Sequence, residues 1–164
     1  MKSQMTVLYA DTSVPVAEQP AEENNKALSI QETQPVDLHQ LVNQLIKALL
    51  PLSVKQKSLM LNDIDPEFTI RTDEHKLAFV LWNLLNNTIV KNQCNCIHIE
   101  ATMVYGSALI RLKDCGAFTA HYDEYSFAQV LNIIEKMGGY IGFNRNPGKG
   151  TTVTIGLSCS AAVA

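Results

Sequence analysis

Two asparagines near the middle of the chain have the residue type and spacing to bind a metal ion. Asn83 and Asn87 are four positions apart in the segment NLLNN. On a helix their side chains would differ by about 40° around the axis and project towards a common spot. Amide oxygens so placed can bind a hard cation such as Mg²⁺, which often shares its other ligands with phosphates. The other interpretation is a polar helix margin that bonds to neighbouring loops, and spacing alone favours it.

A single aspartate continues the core-facing phase of a predicted strand. Ile110 and Leu112 alternate with polar residues, and Asp114 is the next residue in step with them. Alternate residues of a strand point to the same face, so this carboxylate is expected to face a cavity or an interior partner. Asp114 therefore calls for a functional explanation.

The cysteines are expected to be free thiols. Cys94, Cys96, Cys115 and Cys159 could pair in three ways, but a chain of this size without a secretion signal does not need disulfides. The Cys94-x-Cys96 spacing is tighter than usual for zinc and has only His98 close by, which leaves a tetrahedral site short of a ligand. Strand and loop cysteines are the favoured interpretation.

Composition and charge exclude several classes of protein. The 164 residues, 46% hydrophobic and 18% charged, are suited to one compact domain rather than to a disordered or fibrous chain. A net charge of −3 argues against a nucleic-acid partner. The longest apolar runs are far below the roughly 18 residues that cross a bilayer, so no membrane span is expected and the predicted localisation is cytoplasmic.

The periodicity of apolar residues predicts where these side chains sit. Residues 1–35 are interpreted as a mobile tail or linker, and residues 36–160 as one domain. The predicted helices run from Leu38, capped by Asp37, to just before Pro51, from the cap Asp73 to near Asn92, and along Phe127–Met137 to a Gly138-Gly139 stop. The predicted strands lie at Leu59–Ile64, Phe68–Arg71, Ile97–Ala101, Ala108–Leu112, Tyr140–Asn144 and Thr151–Leu157. This order predicts an α/β fold, a two-layer sandwich with three helices on one face of a mixed sheet.

Five segments, in order, resemble the catalytic, ATP-binding domain of sensor histidine kinases. They are VDLHQLV for the opening helix, DEHKLAFVLWNLLNNTIVKN for the N box, KDCGAF for the first glycine box, EKMGGYIGF for a strand entry and NPGKGTTVTIGLS for the closing hairpin. The resemblance spans about Val36 to Ser158. It implies the histidine kinase-like ATPase (Bergerat) fold of the GHKL superfamily, with ATP and Mg²⁺ as cofactors.

The resemblance also implies a role for individual residues. Asn87 takes the place of the Mg²⁺-binding asparagine, and Asn83 that of its partner one turn earlier. Asp114 takes the place of the aspartate that recognises the adenine amino group, Gly116 that of the glycine below the base, and Thr151 that of a threonine near the adenine pocket. Related ATPases have a water-activating glutamate at the place of Asn83, so its absence favours transfer over hydrolysis.

The sequence departs from the family on the phosphate side. Phe118 replaces the second glycine of the first glycine box, and Glu124–Ala128 falls on the segment that wraps the phosphates, with both of its glycines lost. Only Thr119–Asp123 remains for the ATP lid, and Val90 occupies the place of the usual lysine. These losses predict a degenerate site with weak or no ATP binding.

Two functions remain open. The favoured one is a degenerate domain of two-component signalling that acts as a protein-interaction module, with a histidine kinase or response regulator as partner. The alternative is a functional ATP-binding catalytic domain. No catalytic residue is assigned, and none of the four histidines, His39, His75, His98 and His121, has the context of a phospho-acceptor, so the acceptor would lie on another domain or chain. A homodimer is a further option, and an anti-sigma-factor type of kinase is disfavoured by the same glycine losses.

Overall fold

The computed structural model describes residues 33–91, 95–115 and 124–159. The described elements, in chain order, are β1 (Gln34–Asp37), α1 (Leu38–Lys55), β2 (Leu59–Asn62), β3 (Thr69–Thr72), α2 (Glu74–Lys91), β4 (Cys96–Val104), β5 (Ser107–Asp114), α3 (Glu124–Lys136), β6 (Gly139–Asn146) and β7 (Gly150–Ser158). The segment interpreted as a tail lies mostly outside these residues, although β1 contains its last two, Gln34 and Pro35.

The strands form one large sheet and one small sheet. The large sheet has five strands in the order β2-β4-β5-β7-β6. It is mixed, because β2 runs parallel to β4 whereas the remaining pairs are antiparallel. The small sheet is an antiparallel pairing of β1 with β3, which the sequence did not predict. Three helices packed against a mixed sheet confirm the predicted architecture.

The core lies between the helices and one face of the large sheet. Leu77, Leu81 and Leu84 of α2 recur at helical spacing and are fully buried. Ile97 and Ile99 of β4 alternate with half-buried polar residues, which is the pattern of a strand with one core face. Burying such a side chain fully contributes about 1.5–3 kcal/mol. The apolar face of α2, with its helical period, and the apolar face of β4, with its period of two, therefore favour packing against each other in this fold.

The first helix extends beyond its predicted end. We expected α1 to stop before Pro51, but it continues to Lys55 with the proline inside it. The proline removes the amide that would bond to the Lys47 carbonyl, at a cost of about 3 kcal/mol. Pro51 lies on the exposed side of α1, whereas Ser53 is buried and accepts a hydrogen bond at its carbonyl from the Ser58 amide (2.9 Å). This anchoring of the last turn outweighs the local preference to stop.

The second helix begins at a well-formed cap. The Lys76 backbone N–H donates to Asp73 Oδ1 at 3.1 Å, and the Lys76 Nζ lies 3.0 Å from Oδ2. Partial burial favours a higher pKa for Asp73, but these hydrogen bonds and the charge of Lys76 together hold the pKa below its ordinary value. The cap fixes the start of the helix that carries Asn83 and Asn87.

Among the helices of the three described stretches, none is both long and apolar enough to cross a membrane.

Replacing Pro51 by alanine is expected to stabilise the protein. Alanine restores the missing amide on an exposed helix face, so Pro51→Ala should raise the free energy of unfolding by about 1–3 kcal/mol. Urea unfolding measures this change. The matched control is Pro66→Ala in the exposed turn before β3, which should lower stability by about 0.4–1 kcal/mol because the unfolded chain gains freedom. A loss of stability in Pro51→Ala would contradict this account of α1.

The Asp73 cap is expected to make stability depend on pH. Asp73→Ala should cost about 0.5–2 kcal/mol at neutral pH through loss of the cap. The pKa of Asp73 is lowered in the folded state, so its contribution is present above the unfolded pKa and is lost as pH falls through the folded value. Urea unfolding of wild type and variant should therefore converge in acid. Asp73→Asn, which keeps a neutral cap, is the control, and a gap that stays constant down to about pH 2 would contradict the prediction.

Candidate functional site

The end of β5 brings a carboxylate into the core. Ala108, Ile110, Leu112 and Asp114 are buried in alternation along this strand. Asp114 is only 5% exposed, which agrees with the phase that the sequence gives it. A carboxyl group at such a depth needs polar surroundings or a ligand, so the neighbours of Asp114 define the candidate site.

The side-by-side neighbour of Asp114 is Thr151 on β7. The two residues are directly paired in the antiparallel register of β5 and β7. Thr151 is 2% exposed, and its Oγ1 atom has no hydrogen-bond partner among the described residues. Leaving such a hydroxyl unsatisfied costs about 1–3 kcal/mol, and native structures rarely keep one without a reason. In the pair of Asp114 and Thr151, which we call the β5–β7 polar pair, the Thr151 hydroxyl therefore has unused hydrogen-bonding capacity.

A glycine allows the backbones of β5 and β7 to approach closely beside Asp114. Gly150, the first residue of β7, has φ +90°, and a Cβ atom built on it would lie 1.7 Å from the Asp114 carbonyl oxygen. No other residue type fits both this conformation and this approach of the backbones. The sequence indicates Gly150 only as part of the closing hairpin, and its role beside Asp114 was not predicted. The available signal was a glycine directly before a strand, which often marks close backbone approach.

The two asparagines lie on α2 at the margin of its buried face. Asn83 and Asn87 are half-buried, whereas Leu84 and Thr88 beside them are buried. The Asn83 Nδ2 donates to the Phe79 carbonyl of the same helix at 2.7 Å. This bond leaves the Oδ1 atom of Asn83 as its ligating group. Both side chains thus offer neutral amide oxygens, as the sequence predicts, but their roles stay predictions.

The structure unites only part of the predicted site. It brings Asp114 and Thr151 together directly and places Asn83 and Asn87 on a separate element, α2. Gly116, Phe118 and the shortened lid lie outside the described residues. The segment 124–128, where the family wraps the phosphates, is helical and forms the start of α3. Within it the Phe127 ring contacts the Phe143 ring of β6, with centroids 5.3 Å apart.

Comparisons with known proteins show the fold. No family model and no curated protein matches the sequence. The solved Acinetobacter baumannii histidine kinase AdeS is similar with a TM-score of 0.72 and 20% identity, covering 84% of this chain and 72% of that chain. Full-length ShkA in complex with AMPPNP is similar with a TM-score of 0.72 and 20% identity, covering 82% of this chain and 32% of that chain.

A third protein, ThkA, is similar in two solved forms. Its catalytic domain has a TM-score of 0.68 and 15% identity, covering 78% of this chain and 97% of that chain. Histidine kinase ThkA in complex with response regulator protein TrrA has a TM-score of 0.67 and 16% identity, covering 85% of this chain and 46% of that chain. The predicted histidine kinase-like ATPase fold is confirmed by these similarities, which concern the fold.

Substituting Gly150 is expected to disrupt the β5–β7 polar pair. Gly150→Ala adds a backbone clash with Asp114 to the strain of a positive φ, so it should cost clearly more than strain alone, which is about 1–2 kcal/mol. The matched control is Gly148→Ala, because Gly148 has φ +76° but open space around a Cβ atom. Urea unfolding of both variants gives the comparison. Equal losses of stability would show that the close approach contributes nothing.

Proposed function

We propose that this chain is a histidine kinase-like domain of two-component signalling that keeps the purine side of its pocket and has lost the triphosphate side. It binds ATP weakly or not at all and acts through contacts with another signalling protein. The observation that carries the purine half of the proposal is the β5–β7 polar pair, in which the buried Asp114 carboxyl lies beside Thr151, whose buried Oγ1 has no hydrogen-bond partner among the described residues.

The chemistry of the β5–β7 polar pair suits an aminopurine. The Asp114 carboxylate can accept a hydrogen bond from an exocyclic amine, and the Thr151 hydroxyl can donate or accept. A purine with an oxo group in that place would put two acceptors together, at a cost of about 1–3 kcal/mol. This difference selects adenine over guanine because the pair is buried and water cannot compensate.

The two asparagines on α2 suit Mg²⁺ less well than the β5–β7 polar pair suits an aminopurine. Asn87 would hold the ion and Asn83 would assist through its Oδ1 atom, since its Nδ2 is bonded to the Phe79 carbonyl. Bound Mg²⁺ would neutralise phosphate charge. Two neutral amides offset none of the charge of the ion, so its binding depends on how firmly the phosphates themselves are held. Retention of Mg²⁺ is therefore coupled to the phosphate side.

The phosphate side carries the departures from the family. Phe118 brings a bulky side chain where a glycine lets the backbone approach the ligand. Glu124 adds a negative charge where polyphosphate would lie, and two like charges about 4 Å apart repel by about 1–4 kcal/mol at solvent-accessible sites. Both changes oppose the triphosphate without touching the purine. This asymmetry is the reason to expect an interaction module rather than a kinase.

The partner is expected to be another protein of a two-component system. The similar kinase ThkA is known in complex with a response regulator. Two histidines of this chain are already engaged, because the His39 Nδ1–H donates to the Ile64 carbonyl (2.7 Å) and His98 pairs with Asp63. A phospho-acceptor, where one is needed, would then come from a histidine kinase or response regulator that contacts this domain.

The alternative is a competent ATP-binding catalytic domain. One observation favours it, since an unpartnered buried hydroxyl at Thr151 is most simply explained by a ligand that satisfies it. Under this alternative the whole nucleotide, including its phosphates, contributes to binding.

Ligand-induced stabilisation separates the two functions. We expect millimolar ATP with Mg²⁺ to raise the thermal midpoint by less than about 2 °C, because a ligand at its Kd contributes about 0.4 kcal/mol. Adenosine should give a shift no smaller than that of ATP. Differential scanning fluorimetry measures both, with the exposed-turn variant Asp65→Asn as the control.

A different result in the same measurement would favour the competent ATP-binding domain. A shift of several degrees with Mg²⁺–ATP but not with adenosine, abolished by Asp114→Asn or by Asn87→Ala and kept in Asp65→Asn, would establish the alternative and overturn the proposal.

A further inference from the structure

Two cysteines, a histidine and an aspartate form a connected group on the large sheet, at the end where β4 begins and β5 ends. Cys96 Sγ lies 3.5 Å from the His98 Nε2, and the His98 Nδ1 lies 2.7 Å from the Asp63 Oδ2. Cys115 is joined to Cys96 through the backbone, because its amide donates to the Cys96 carbonyl at 3.1 Å, and, besides burial, its charge helps to raise the pKa of the Cys96 thiol. We call Cys96, Cys115, His98 and Asp63 the thiol cluster. None of its members belongs to the β5–β7 polar pair.

The strand register sets the two sulfurs opposite each other. Ile97 pairs with Asp114, so the next pair towards the edge is Cys96 with Cys115, and the Cys115 amide donates to the Cys96 carbonyl at 3.1 Å. Hydrogen-bonded antiparallel pairs have Cα atoms about 5.5 Å apart. Disulfides span Cα separations of roughly 4.4–6.8 Å. The Cα separation typical of such a pair therefore falls within the range that a disulfide spans.

The histidine is oriented to accept a proton from the thiol. In the neutral ring, donation from the His98 Nδ1 to the Asp63 carboxylate directs the lone pair of Nε2 towards Cys96. Burial, followed by the charges of Cys115 and Asp63, raises the pKa of the Cys96 thiol. Cys96 consequently does not ionise readily by itself at neutral pH, and a neighbouring base is what makes it reactive.

Access to the thiol cluster is open. Cys115 is exposed and Cys96 is half-buried, on the sheet face opposite Ile97 and Ile99. Within the described stretches, no three His, Cys, Asp or Glu side chains are arranged to hold a metal ion. The arrangement thus favours thiol chemistry over metal binding.

We propose that Cys96 and Cys115 are a modification site that a hydroperoxide oxidises to a disulfide. Cys96 Sγ attacks one peroxide oxygen, the O–O bond breaks, and the thiol proton passes through the His98 Nε2 to the departing oxygen, which gives a sulfenic acid and an alcohol or water. The Cys115 sulfur then attacks the Cys96 sulfur, the S–O bond breaks, and water leaves with the Cys115 proton. In total two thiols lose two electrons to one hydroperoxide. Asp63 is a positioning residue, since it acts through His98.

The disulfide would lie directly beside the candidate site. Cys115 is peptide-bonded to Asp114, and the two side chains leave opposite faces of the sheet edge. Oxidation would tie the residue that follows Asp114 to β4. The redox state of the outer face would thereby restrict the backbone that carries the inner carboxylate.

Mass spectrometry of the full chain tests the proposal. After treatment with hydrogen peroxide and alkylation, we expect a peptide linked through Cys96 and Cys115, reversed by dithiothreitol. Cys94→Ser and Cys159→Ser are matched controls that should keep this link. In Cys115→Ser, Cys96 should stop at the sulfenic acid, which dimedone traps.

The rate of oxidation tests the histidine and the aspartate. His98→Gln should slow formation of the disulfide at neutral pH by at least about a hundredfold, the low end for loss of a general base. Asp63→Ala should slow it less, and Asp63→Glu should restore it, which a merely structural role would not predict. Detection of the Cys96–Cys115 link in the wild-type chain tests the proposal even where a variant fails to fold. The proposal is overturned if Cys96 and Cys115 remain fully alkylatable when Cys159 is oxidised, if the link forms with Cys94 or between chains, or if His98→Gln oxidises at the wild-type rate.

Discussion

The approach of the Gly150 backbone to the Asp114 carbonyl is the constraint on which the candidate site depends. It lets β7 start where β5 ends, so that Thr151 lies beside Asp114 in register. Because the same register continues along both strands, it also aligns Ile110 with Ile155 in the core. The strand pairing that packs the apolar face therefore also places the polar pair. The free energy of burying the apolar side chains offsets the cost of burying the Asp114 carboxyl and the Thr151 hydroxyl.

The elements with strong apolar periods could be predicted from the sequence, whereas features set by tertiary contacts could not. The period of α2 and the alternation of β5 are local, and Asp114 was found because it shares the phase of Leu112. The end of α1 was predicted wrongly, since burial of Ser53 outweighs the local effect of Pro51. Strand β1 was missed because it is four residues long, contains a proline and, among the described strands, pairs with β3 alone, which lies far along the chain. Thr151 entered through resemblance alone.

The fold and the proposed loss of the phosphate side obey different physical requirements. A core tolerates exchange among apolar side chains of similar volume, which is why histidine kinase domains at 20% identity share this architecture. A phosphate cradle tolerates little, because backbone must approach the ligand and a carboxylate repels it. Under the proposed function, Phe118 and Glu124 would remove triphosphate binding while the sheet and the β5–β7 polar pair remain. Fold similarity alone does not carry an activity across such changes.

The two-residue period of a strand explains how the end of β5 can carry two kinds of chemistry, one on each face of the sheet. Asp114 leaves the inner face, and Cys115, one position later, leaves the outer face, where Cys96 and His98 lie on β4. The inner group is shielded from water and suited to selective hydrogen bonding, whereas the outer group is open to small oxidants. Since successive peptide units are nearly rigid, a covalent bond at Cys115 limits how far the backbone of Asp114 can move. Any motion that the inner site needs in order to admit a ligand is then subject to the state of the outer thiols.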